Sequence, residues 1–319
     1  MKLIYNSVFL EHDTGMHPEN KKRLLSLGEL PETEITSGEK YLTLVHSEDY
    51  IDWVKDACLK GGHIDNDTIV SPTSYKSAIY AVGATVMASE SGDFALVRPP
   101  GHHAHINRSS GFCLFNNISI ATKYQVNQGK KVLIVDFDGH LGCGTTKLFY
   151  DSDQVLYWSL HQYPAFPGGG DANEIGVGKG RGYTINVPLP PGSGDEIFMD
   201  AFESFLPAAI EYKPDIVAVS AGFDSHQYDL LLDLRVTLSS YYKIGKLLSE
   251  NFTNIFATLE GGYNVEMFPK CVTNFVDGIN KHKMRYHEKN TDSMIQTYYE
   301  YEGRKALAMQ YLKKYWKSL

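Results

Sequence analysis

The chain has 319 residues, 43% hydrophobic and 12% aromatic, enough apolar side chain for a substantial core and well outside the disordered class. Its formal net charge of −8 argues against nucleic-acid binding through bulk positive charge. Its four cysteines (Cys58, Cys113, Cys143 and Cys271) form no CxxC pair, which argues against a disulfide frame and for a reducing, cytoplasmic setting.

The opening segment, MKLIYNSVFLEHD, reads as a strand rather than a signal peptide. No apolar run is long enough to span a bilayer. Short apolar runs follow at 2–5, 94–97, 131–135, 155–160, 183–187, 216–219 and 255–259. Between them lie helix-length segments at 74–89, 117–128, 195–212 and 239–251. Several runs lack polar alternation, as strands buried on both faces do. The alternation predicts an α/β fold with a mostly parallel central sheet flanked by helices. No repeat or boundary interrupts it, so residues 1–319 read as a single domain. The stretch from about 287 to 319 is charged, tyrosine-rich and helical in pattern. It is expected to pack on the domain or on a partner chain, where it could support a homo-oligomer.

In such a sheet, ligands bind at the carboxyl ends of the strands. The run at 94–97 leads into RPPGHHA with His102 and His103, and the run at 131–135 into Asp136, Asp138 and His140. The last two runs lead into Asp224 and into Glu260-Gly-Gly-Tyr263. Residues two apart on an extended segment share a face, so Asp136, Asp138 and His140 are expected to point together. Asp138 and His140 make half of a metal site, and Asp224 is the third ligand. Three protein ligands leave a position open for water and substrate, the catalytic arrangement for zinc. Mixed oxygen and nitrogen donors also suit Fe²⁺ or Co²⁺. Two carboxylates offset the ion's charge, so the protein must add donors of its own. His102 and His103 could move protons, and Tyr263 could donate to a developing oxyanion.

These residues resemble a known family: the zinc-dependent histone deacetylases, with the acetylpolyamine amidohydrolases and acetoin-utilisation proteins, closest to the class II branch. The matching motifs are RPPGHHA (98–104), GFCLFNN (111–117), DFDGHLGCGT (136–145), SLHQYPAFPG (159–168), GRGYTINVPLPPGSGD (180–195), SAGFDSH (220–226) and LEGGYN (259–264). Weaker matches are HPE (17–19), VHSEDYI (45–51) and DNDTIVSPTSY (65–75). The resemblance implies a single-domain arginase/deacetylase-like fold and hydrolysis of an acyl-lysine in protein or peptide, or of a small acylated amine. It implies zinc on Asp138, His140 and Asp224, and His103 as general base and acid. His102 is then its electrostatic partner, held by Asp136, and Tyr263 polarises the acyl carbonyl. Phe112 and Phe166 match the aromatic walls of a narrow tunnel, with Gly111 and Leu231 among the substrate-binding residues. Asp136, Asp138, His140, Ser159 and Leu160 match a structural potassium site.

Two departures stand out. Leu141 and Cys143 replace a second histidine and the asparagine or aspartate that orients His103. A thiol is a weak hydrogen-bonding group, so His103 is expected to be loosely held or shifted in pKa. Leu231 is apolar where polyamine-selective members can carry an acidic gatekeeper, which counts mildly against an acetylpolyamine, the alternative substrate. The leading expectation is therefore an active deacylase; the alternative is a catalytically weakened acyl-lysine binding module. A ureohydrolase would need ligands for two metal ions, and the sequence offers ligands for one.

Overall fold

The computed structural model describes all 319 residues. Seven strands make the central sheet: β1 (Leu3–Ile4), β2 (Phe94–Ala95), β3 (Val132–Asp136), β4 (Val155–Gln162), β5 (Thr184–Leu189), β6 (Ile216–Ala221) and β7 (Ile255–Leu259). Their order is β1-β2-β7-β6-β3-β4-β5, and every pairing is parallel. Every residue of β3, β4, β5 and β7 is buried, which explains their unbroken apolar character. Helices cover the sheet: α1 (Glu48–Lys60), α2 (Ser74–Ser91), α3 (Asn117–Val126), α4 (Cys143–Phe149), α5 (Asp195–Tyr212), α6 (Leu238–Asn251), α7 (Phe268–Ile279) and α8 (Ile295–Leu312). The expected mostly parallel sheet flanked by helices is the observed architecture.

All seven strands fall on the predicted runs. The edge strand β1 and its neighbour β2 are shorter than expected because the ladder stops early. The amide of Val97 turns back to Ala95 instead of pairing across, and two prolines without amides follow. Helices α1, α4 and α7 are not among the helices expected from sequence, nor is a small antiparallel hairpin, Gly62–His63 with Ile69–Val70. Of the two expectations for the C-terminal segment, packing on its own domain is the one observed. Helix α8 lies against the edge strand β5, burying Tyr301, Ala308 and Leu312. Beyond it, the Trp316 indole donates to the Gly182 carbonyl at 2.8 Å. The helix thus covers an edge that would otherwise be open to pairing. No helix is long and apolar enough to cross a membrane.

Register brings the chemistry together. Asp136 lies opposite Ser159 on one side and Ser220 on the other, and Ser220 lies opposite Thr258. Strands β3, β6 and β7 therefore end within a residue of one level, with β4 running three residues further, and the loops leaving β3, β6 and β7 converge.

Candidate active site

The Asp138, His140 and Asp224 side chains meet there, with one ligand atom from each lying within 4.8 Å of the others. All three are buried. Asp136, Asp138 and His140 do not share the expected extended face, because β3 ends at Asp136 and the chain bends. Local hydrogen bonds make the bend: Asp136 Oδ1 accepts the Asp138 amide at 3.2 Å, and Asp138 Oδ1 accepts the His140 amide at 2.9 Å. Asp224 Oδ1 accepts the Gly139 amide at 2.7 Å, and Asp138 Oδ2 accepts the Gly261 amide at 2.8 Å. His140 Nδ1 lies 2.8 Å from Asp224 Oδ2. Burial opposes a proton there, but Asp224 and Asp138 outweigh it and push the imidazole up to about 10. Two buried carboxylates around one imidazole make a site that attracts a cation, and a proton and a metal ion compete for it.

His102 and His103 sit side by side, ring centroids 4.0 Å apart, yet their surroundings push them in opposite directions. His102 Nδ1 lies 3.1 Å from Asp136 Oδ2. Burial disfavours its charge, but Asp138, Asp136 and Glu260 outweigh burial and hold its pKa well above the ordinary value. His103 is lowered well below, first by burial and then by the charges of His102 and His140. Paired groups driven apart in this way divide into a charged member and a neutral base. The Cys143 thiol lies 3.5 Å from His103 Nδ1, so it faces the histidine instead of packing away from it. Leu141 points elsewhere, toward the Gly169–Gly170 turn.

Above the carboxylates, a cavity of about 240 Å³ is lined by His103, His140, Gly111, Phe112, Phe166, Leu231, Tyr263 and Asp67. Phe166 and Leu231 stand half-exposed at its rim. Phe112 has φ 69°, a left-handed conformation costly for a phenylalanine. Its amide donates to Thr68 Oγ1 at 3.2 Å, and the His17 ring meets its own at 4.5 Å, edge to face. Gly111, at φ 54°, packs directly on the His103 ring, where a Cβ would collide. Burial and Asp224 keep the Tyr263 hydroxyl protonated by raising its pKa well above the usual tyrosine value. Every residue expected at the site is brought to it. Ser159 and Leu160 lie alongside on β4, where Ser159 Oγ is 2.9 Å from His161 Nδ1.

Four contributors were not singled out from sequence. Asp67 lines the cavity from the loop after α1. Glu260 accepts the amides of Gly101 at 2.7 Å and His102 at 3.1 Å, and the Ser220 hydroxyl at 3.1 Å. It thereby ties three strand ends together. Glu19 pairs with both Arg23 and Arg98 in the interior. Arg23 in turn donates to the Gly262 carbonyl at 2.7 Å and lies 5.0 Å from the centre of the Tyr263 ring. Only the HPE and LEGGYN motifs hinted at Glu19 and Glu260.

The model of the histone deacetylase domain matches residues 16–279. A probable deacetylase of Archaeoglobus fulgidus is 36% identical over 292 residues, covering 83% of this chain and 81% of that one. The chloroplastic histone deacetylase 10 of Oryza sativa subsp. japonica is 35% identical, covering 85% and 71%. The crystal structure of the HDA15 HD domain superposes with a TM-score of 0.87 at 29% identity, covering 100% of this chain and 97% of that one. The chain belongs to the histone deacetylase family.

Proposed function

We propose that this protein is a zinc-dependent deacylase that hydrolyses the N-acetyl or another N-acyl amide of lysine, or of a small amine. The observation that carries the reading is the buried Asp138–His140–Asp224 cluster at the foot of a cavity shared with His103 and Tyr263. One nitrogen and two carboxylate donors fit Zn²⁺, and they also suit Fe²⁺ or Co²⁺. When bound there, the ion supplies Lewis-acid charge for the water and the acyl carbonyl.

The chain's own groups do the rest. His103, neutral because burial lowers its pKa, accepts a proton from the attacking water and returns one to the leaving amine. His102, kept protonated against Asp136, adds a fixed positive field. Tyr263, kept protonated by burial, donates to the developing oxyanion. Phe112 and Phe166 flank the lysine methylenes, and Leu231 at the rim favours an acyl-lysine over a polycation. For a structural potassium ion we propose Asp136, Asp138, His140, Ser159 and Leu160; support comes from the pairing of Asp136 with Ser159. Four free thiols support a reducing compartment such as the cytoplasm. Metal analysis with turnover of an acetyl-lysine reporter tests the reading: zinc and turnover together are expected. Stoichiometric zinc with tight reporter binding and no turnover would favour the binding module.

A further inference from the structure

The hydroxyl of Tyr157, on β4, sits between the groups that stand behind the two histidines. It donates to Asp136 Oδ2 at 2.9 Å and accepts from the amide of Gly142 at 3.1 Å. The same Asp136 oxygen faces His102 Nδ1 at 3.1 Å. Gly142 precedes α4, whose first residue, Cys143, holds its thiol 3.5 Å from His103 Nδ1. Tyr157 is itself 1% exposed and does not line the tunnel cavity. Space at this junction is tight. A Cβ on Gly142 would collide with the Asp136 carboxylate and lie 2.8 Å from the Tyr157 hydroxyl and 3.1 Å from His102 Nδ1.

We propose that Tyr157 is a positioning residue for the deacylation reaction, its hydroxyl fixing Asp136 behind His102 and the start of α4 behind His103. The proposal rests on the deacylase reading above. A carboxylate's terminal torsion is broad; the Asp138 amide holds Oδ1, and the Tyr157 hydroxyl holds the Oδ2 that faces His102. A phenol donating to a carboxylate forms a charge-assisted bond suited to that task. The Cys143 thiol, a weak partner, cannot fix His103 by itself, so His103 depends on where α4 begins. Small displacements of reacting groups are costly to turnover, whereas a residue outside the cavity leaves substrate binding alone.

The test uses the full zinc-loaded chain. Tyr157→Phe should lower kcat roughly ten-fold with KM changed less than about two-fold, at unchanged zinc content. It should also speed alkylation of Cys143 by iodoacetamide; Cys58, Cys113 and Cys271 are buried, so Cys143 dominates the labelling. Gly142→Ala, which forces a methyl group into the same junction, should lower kcat in the same manner and serves if the first variant folds poorly. Unchanged kcat and labelling in Tyr157→Phe would overturn the proposal, as would a loss of turnover that merely follows loss of zinc. Should the wild type fail to process the reporter, the deacylase reading falls, while the labelling rate still tests the link from Tyr157 to Cys143.

Discussion

The Cys143 thiol lies 3.5 Å from His103 Nδ1 and equally 3.5 Å from His105 Nε2, so one weak donor is shared between two imidazoles. Arg108 occupies the same His105 nitrogen at 2.8 Å. His103 therefore lacks the strong acceptor that would stabilise its protonated form. Its pKa is depressed, by burial first and His102 next.

That relationship fixes the sign of a pH effect. His103 works as a base, so turnover is lost as pH falls through its pKa, and the acidic limb should lie below the ordinary histidine value near 6.5. Cys143→Asp places a carboxylate against Nδ1 and should move that limb upward. Cys143→Asn should move it less, since it brings hydrogen bonding without charge. pH–rate profiles with thermal melts check both. An unshifted limb beside a large drop in stability would contradict the role of Cys143.

Tyr263 is held from several sides. Its amide donates to Asp229 Oδ2 at 2.6 Å, and the Arg23 guanidinium lies over its ring. Tyr263→Phe should lower kcat by roughly 10²- to 10³-fold while zinc content stays unchanged. Near-normal kcat would leave oxyanion stabilisation to other groups.

Strand ends with their Asp, His and Tyr residues were legible in the sequence because buried parallel strands are written as plain apolar runs. The loops leaving them carry chemistry in short motifs. Hubs that act through space were not legible. Glu260 carries no signal beyond its place in LEGGYN, yet its carboxylate gathers amides from a loop 159 residues away. Tyr157 looked like one more apolar strand position. Helix α1 was missed although Ser47 caps it by accepting the Tyr50 amide, because its apolar face is narrow: only Tyr50, Val54 and Cys58 are buried. The bend at 137–140 defeated the alternation argument, although the same residues still met.

Glu19 offers a test of the scaffold. It faces Arg23 and Arg98 in the interior, all three fully buried. Burial alone would raise its pKa, but Arg98 and His12 hold it well below the usual carboxylate range. Glu19→Gln strands two buried guanidiniums and should cost about 3–5 kcal/mol of stability in denaturant unfolding at neutral pH. A depressed carboxyl stabilises fully above its unfolded pKa and loses that contribution as pH falls through the folded value. The gap between wild type and variant should therefore narrow in acid. A constant gap would remove the ionised Glu19 from the account.

Leu231 tests selectivity. It stands at the rim, 38% exposed, where a carboxylate would attract a distal ammonium. Leu231→Glu should raise kcat/KM for acetylpolyamine relative to acetyl-lysine by roughly ten-fold. An unchanged ratio would show that the rim does not discriminate by charge.

The most direct test of the account is the metal content of Asp224→Ala beside that of the wild type, by elemental analysis on folded protein. Asp224 supplies one of only three donors, so its removal should strip most of the zinc and abolish turnover of the acetyl-lysine reporter. The wild type should retain about one ion per chain. Full zinc occupancy in the variant would contradict the assignment of Asp138, His140 and Asp224 as the catalytic metal site.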